Sequence, residues 1–131
     1  MDLEKKLNDS FVSDIKYILE NARQQAYTSI NREMVKAYWE IGKRIVEEEQ
    51  QGEKRAGYGK QILKILSHEL SSEFGKGFDE RELRRIRQFY LTFPIRDTLR
   101  PELNWSHYRL LIRVTNEKAR AYYLHEAANQ H

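Results

Sequence analysis

The sequence predicts an all-α domain: a long N-terminal helix followed by a helix-turn-helix core. Three observations carry that prediction. Apolar residues recur at spacings of three and four over most of the chain, as amphipathic helices require. Only two prolines and six glycines occur in 131 residues, too few turn-formers for a many-stranded sandwich or barrel. The stretch Leu70 to Phe93 joins a helix end, a glycine turn and an arginine-rich helix. A chain of this length is expected to form one domain, residues 1–131, with a modest core.

Residues 1–9 are polar and are expected to be disordered. Ser10 or Ser13 can cap a helix that then runs toward Gln50. Phe11, Ile15, Ile18, Leu19, Ala22, Ala26, Ile30, Met34, Ala37, Ile41 and Ile45 mark its apolar stripe. Thr28-Ser29-Ile30-Asn31 is its weakest part, where it could break into two shorter helices. Unbroken, about 38 residues at 1.5 Å each reach roughly 57 Å. A domain of this size is only about 35 Å across. Part of the stripe would then need another polypeptide or domain to cover it. Gly42 lies inside this helix, where glycine costs about 1 kcal/mol relative to alanine, so it marks a close helix crossing. Trp39 is expected to anchor a core or an interface.

Glu47 to Gly57 is polar, lacks periodicity and reads as a loop. A helix over about residues 60–73 follows, with Ile62, Leu63, Ile65, Leu66 and Leu70 apolar. Gly57 and Gly59 have neither the spacing nor the Lys-Ser/Thr ending of a phosphate loop. Gly75 and Gly77 suit a helix terminus and a sharp reversal. Asp79 is a good N-cap, with Glu82 three residues on in the capping-box position. Leu83, Ile86, Tyr90 and Phe93 then share one face of a helix that Pro94 stops. Ile95 to Leu103 is a loop, either a short wing or an exposed connection. Asn104 opens a helix through about Val114, and Asn116 can cap a last one from Glu117 to about Asn129.

The net charge of +3 is unevenly placed. Residues 76–113 hold nine Lys and Arg against five Asp and Glu, whereas residues 1–50 are slightly acidic. The excess therefore lies on and after the glycine turn, which favours an anionic partner. Arg81, Arg84, Arg85 and Arg87 fall off the apolar face of their helix. A basic face behind a glycine turn is how a recognition helix looks in sequence, although a merely solvated face has the same pattern. On the DNA-binding reading, Arg84, Arg85 and Arg87 touch phosphates or base edges, and Arg81 is an alternative base reader. Lys76, Arg96 and Arg100 then hold the backbone. On the alternative reading the domain is an oligomerisation module, pairing chains through Tyr38, Trp39 and Gly42 of the long helix.

Catalytic chemistry has no visible constellation. The chain has no cysteine, and His68, His107, His125 and His131 do not pair at metal-ligand spacing. Ser106-His107 has no neighbouring carboxylate or oxyanion turn. No catalytic residue, metal or cofactor is expected. No apolar leader or membrane-length run occurs, so no membrane partner is expected and the cytoplasm is the expected compartment.

Several separated motifs resemble a known family. They are Tyr38-Trp39-Glu40-Ile41-Gly42-Lys43-Arg44-Ile45, Tyr58-Gly59-Lys60, Phe74-Gly75-Lys76-Gly77-Phe78, Leu83 with Arg87-Gln88-Phe89-Tyr90, Phe93-Pro94, and Trp105-Ser106-His107-Tyr108-Arg109-Leu110-Leu111. In this order, over about residues 10–128, they are similar to the N-terminal domain of the YhcG-like family of predicted prokaryotic PD-(D/E)xK nucleases. The resemblance implies a helical, winged-helix-like domain that binds duplex DNA. It also implies a C-terminal nuclease domain beyond residue 131, so that this chain alone is not an enzyme. A homodimer is the expected assembly, since helix-turn-helix proteins commonly pair to match two half-sites.

Overall fold

The computed structural model describes residues 8–52, 58–114 and 116–130. Residues 1–7, residues 53–57 of the loop expected from Glu47 to Gly57, Thr115 and His131 lie outside the described residues, whereas Glu47 to Gln51, expected to open that loop, instead continue the first helix to its cap at Gly52. Among the described residues five α-helices follow in order: α1 (Asp9–Gln51), α2 (Tyr58–Phe74), α3 (Glu80–Thr92), α4 (Trp105–Leu111) and α5 (Glu117–Gln130). Among the described residues there is no strand. The segment read as a possible wing is a connection with a single 3-10 turn at Arg96–Thr98.

Helix α1 starts earlier than Ser10 or Ser13 would place it. The Asn8 side chain accepts the Ser10 amide at 2.8 Å, so the helix is capped at Asn8 and already includes Asp9. It does not break at Thr28. That hydroxyl donates back to the Gln24 carbonyl at 3.0 Å, which satisfies it inside the helix. The 43 residues reach about 65 Å at 1.5 Å each. Only the second half meets the rest of the chain: Val35, Trp39, Gly42, Ile45 and Val46 are buried.

Gly75 and Gly77 turn α2 into α3 with φ of 79° and 118°, the region where a Cβ is strained. Asp79 caps α3 by accepting the Glu82 amide at 2.7 Å. The reciprocal half of the expected capping box is not made. The Glu82 carboxylate instead accepts from the Trp105 indole N–H at 3.0 Å and pairs with Arg85 at 3.5 Å. Helix α3 packs chiefly on α1 and less on α2. Its Leu83, Ile86 and Phe89 are fully buried, and Phe93 nearly so.

The core is largely aromatic. Phe89 lies between Tyr108 and Trp105, with centroids 4.8 and 5.2 Å away, and Phe93 meets Tyr108 edge-on at 5.4 Å. Trp39 donates its indole N–H to the Phe93 carbonyl at 2.7 Å, which fixes the end of α3 to the middle of α1. Asn104 and His107 form a capping box on α4, with the His107 Nδ1 accepting the Asn104 amide at 3.1 Å. Helix α4 stops at Leu111 rather than Val114, because the last turn tightens to i→i+3 bonds. The Arg120 guanidinium of α5 then donates to the Val114 carbonyl at 2.7 Å, and Asn116 caps α5 through the Ala119 amide.

Candidate nucleic-acid interface

At 100° per residue, burying Leu83, Ile86 and Phe89 turns Arg81, Arg84 and Gln88 to the opposite side of α3. All three are exposed. Arg81 makes no ion pair among the described residues. Arg84 has only a long contact to Glu80, 3.8 Å, with both side chains in solvent. Lys76, in the glycine turn just before the helix, is exposed and likewise unpaired among the described residues. The start of α3 thus presents three cations from one rigid element and its entry turn.

The other arginines of the helix are committed elsewhere. Arg85 is half-buried against Glu82. Arg87 turns sideways to α1, where its Nε donates to Glu49 at 2.5 Å, partly shielded from water. Glu49 therefore neutralises one flank of α3, while its neighbour Glu48 pairs with Arg44 within α1. Arg96 lies at the far end of the helix, 3.7 Å from Glu40. The Arg100 amide donates to the Tyr108 hydroxyl at 2.7 Å, while its guanidinium makes no ion pair among the described residues. The structure thus splits the predicted contacts into a group at the start of α3 and a group in the connection after it.

Two cations escaped the sequence reading. Arg32 and Lys36 of α1 line a cleft of about 500 Å³ together with Arg96 and Arg100. Their i, i+4 spacing places them on one helical face, but nothing local announces that the connection returns to that face.

Tyr38, Trp39 and Gly42, expected at an interface between chains, are used within the chain. Trp39 is 6% exposed, Gly42 is buried under α3, and Tyr38 is half-buried with its ring 4.9 Å from Trp105. The uncovered apolar surface of α1 lies upstream, at Phe11, Ile15, Ile18, Leu19, Ile30 and Met34. Burial pushes the Tyr108 phenol up from its ordinary pKa, with Glu102 adding to the shift and the Arg100 backbone hydrogen bond opposing it. Burial, then the nearby Glu82, raises Tyr38 as well.

Among the described residues no group of His, Asp and Glu could hold a metal ion. No described helix is long and apolar enough to cross a membrane.

The model of the family described as the DUF1016 N-terminal domain matches residues 14–131. The chain is also 46% identical over 77 residues to the Escherichia coli (strain K12) protein named "Putative nuclease YhcG". That match covers 59% of this chain and 20% of the relative, so the chain spans about a fifth of the relative's length. No solved structure matches.

Proposed function

We propose that this chain, which belongs to the DUF1016 N-terminal domain family, is the DNA-binding module of a prokaryotic nuclease of the PD-(D/E)xK class. The observation that carries this reading is the outward presentation of Arg81 and Arg84, beside Lys76, on a helix whose opposite face is fully buried. A major groove about 12 Å wide admits one α-helix. An arginine fork at the leading end of that helix suits phosphate oxygens or the guanine edge better than a lysine does. Gln88, on the same face, can bridge adenine. Glu80 must release Arg84 on binding, at small cost, because exposed pairs contribute only about 0–1 kcal/mol. The similarity to a protein named as a nuclease supports the role of delivering a nuclease domain to its substrate.

The reading is tested by fluorescence anisotropy of a random-sequence duplex with the wild-type chain. Micromolar binding that weakens linearly with salt on logarithmic axes is expected. No binding at low salt would refute it.

One observation favours a second, compatible role in assembly. From Asp9 to Met34 the side chains of α1 are exposed, apart from the half-covered Val12, yet they include a stripe of large apolar groups. A second copy pairing along this half, rather than at Trp39, would cover the stripe and set two α3 helices on neighbouring half-sites. Sedimentation at high concentration giving the mass of one chain would count against it.

A further inference from the structure

Four cations from two separate segments converge on one cleft. Arg32 and Lys36 stand one turn apart on α1, and Arg96 and Arg100 come from the connection after α3. The cleft also has Val35, Leu99, Pro101 and Leu103 on its walls, and Asp97 is its one acidic wall residue. We propose that this cleft is a phosphate-binding site, filled by a backbone phosphate of the nucleic acid that α3 engages. The source of the phosphate rests on the DNA-binding reading, whereas the site rests on its own geometry.

The pairing pattern leaves the cations available. Arg32 and Arg100 make no ion pair among the described residues. Lys36 and Arg96 are held only by Glu33 and Glu40, each at 3.7 Å and each pair well exposed, so an incoming anion displaces little. Three of the four cations are arginines, whose planar forks match phosphate oxygens. Their frame is preorganised. The Tyr108 hydroxyl holds the Arg100 amide at 2.7 Å, the Thr98 hydroxyl donates to the Ile95 carbonyl at 2.6 Å, and Leu103 plugs the core at 2% exposure. Trp39 secures the start of the connection through Phe93. Rigid placement reduces the ordering cost of binding. The 13 residues of α3 span about 20 Å, so this cleft addresses a different phosphate from those near Arg81.

The test compares wild type with the Arg32→Ala/Lys36→Ala double variant. Both substitutions fall on exposed positions of α1, so helicity should be retained, which circular dichroism checks. Each chain is titrated with inorganic pyrophosphate by amide NMR and with a 20-base-pair duplex across a salt series. Pyrophosphate should shift amides around Leu99–Leu103 in wild type alone, and the duplex salt slope should fall by about two in the variant. Equal slopes, or no pyrophosphate shifts in the cleft, would overturn the site while leaving α3 as the DNA reader. Pyrophosphate binding in the cleft with no duplex binding would support the site and refute the nucleic acid as its source, together with the DNA-binding reading.

Discussion

Gly42 of α1 lies directly against the main chain of Ile86 in α3. A Cβ at position 42 would meet the Ile86 carbonyl oxygen and stand 2.9 Å from the Tyr90 Cβ. Neither atom can move cheaply, since one is backbone and the other is the root of a side chain. The Gly42→Ala variant is therefore expected to lose about 1–3 kcal/mol in urea unfolding, despite alanine's helix advantage of about 1 kcal/mol. Wild-type stability would show that the two helices can part freely.

Trp39 fastens the same two helices by a hydrogen bond. In Trp39→Phe the Phe93 carbonyl loses its indole donor at a buried position. A loss of about 1–3 kcal/mol follows, most of it from the stranded carbonyl, and urea midpoints should fall with little change in slope.

Arg87 is tied to α1 through Glu49. Its pairing with Glu49 predicts that Arg87→Ala weakens duplex binding less than Arg81→Ala does, while lowering stability more. Glu49→Ala releases the guanidinium and removes a negative charge, so duplex affinity at low salt should rise. Anisotropy titrations beside urea melts check both statements.

Burial raises the Tyr108 phenol above its ordinary 10.0, and Tyr38 shifts in the same direction. The neutral phenol is the form the fold favours. The contribution is thus fully present below pH 10 and is lost as pH rises through the folded-state value. Thermal melts should fall from about pH 10 upward. Tyr108→Phe should flatten part of that decline while costing about 1–3 kcal/mol at neutral pH, because the Arg100 amide loses its acceptor.

Much of the fold is local and was readable. The glycine turn, the Asp79 cap and the helix crossing at Gly42 each follow from residue type and spacing, and the structure has all three. The apolar face of α3 is legible in part: Leu83 and Ile86 are buried as the spacing predicts, but Phe89 rather than Tyr90 is the third fully buried residue of the helix. What escaped depends on long-range partners. Glu82 looks like a capping-box residue, but the Trp105 indole claims its carboxylate from 23 positions downstream. Arg87 looks like its helical neighbours, but Glu49 reaches it from 38 positions upstream. Trp39 and Gly42 fit either a crossing within the core or an interface between chains, and only the fold shows that the partner is α3 of the same chain. The cleft of Arg32, Lys36, Arg96 and Arg100 exists only once the connection folds back onto α1.

The most direct measurement compares the wild-type chain with Arg81→Ala/Arg84→Ala on one labelled random-sequence duplex, by anisotropy from low to moderate salt. If the outward face of α3 is the DNA-binding surface, the variant stays folded, binds markedly more weakly, and shows a salt slope smaller by about two. Superimposable curves from two folded proteins would contradict the account and leave those arginines as a solvated face.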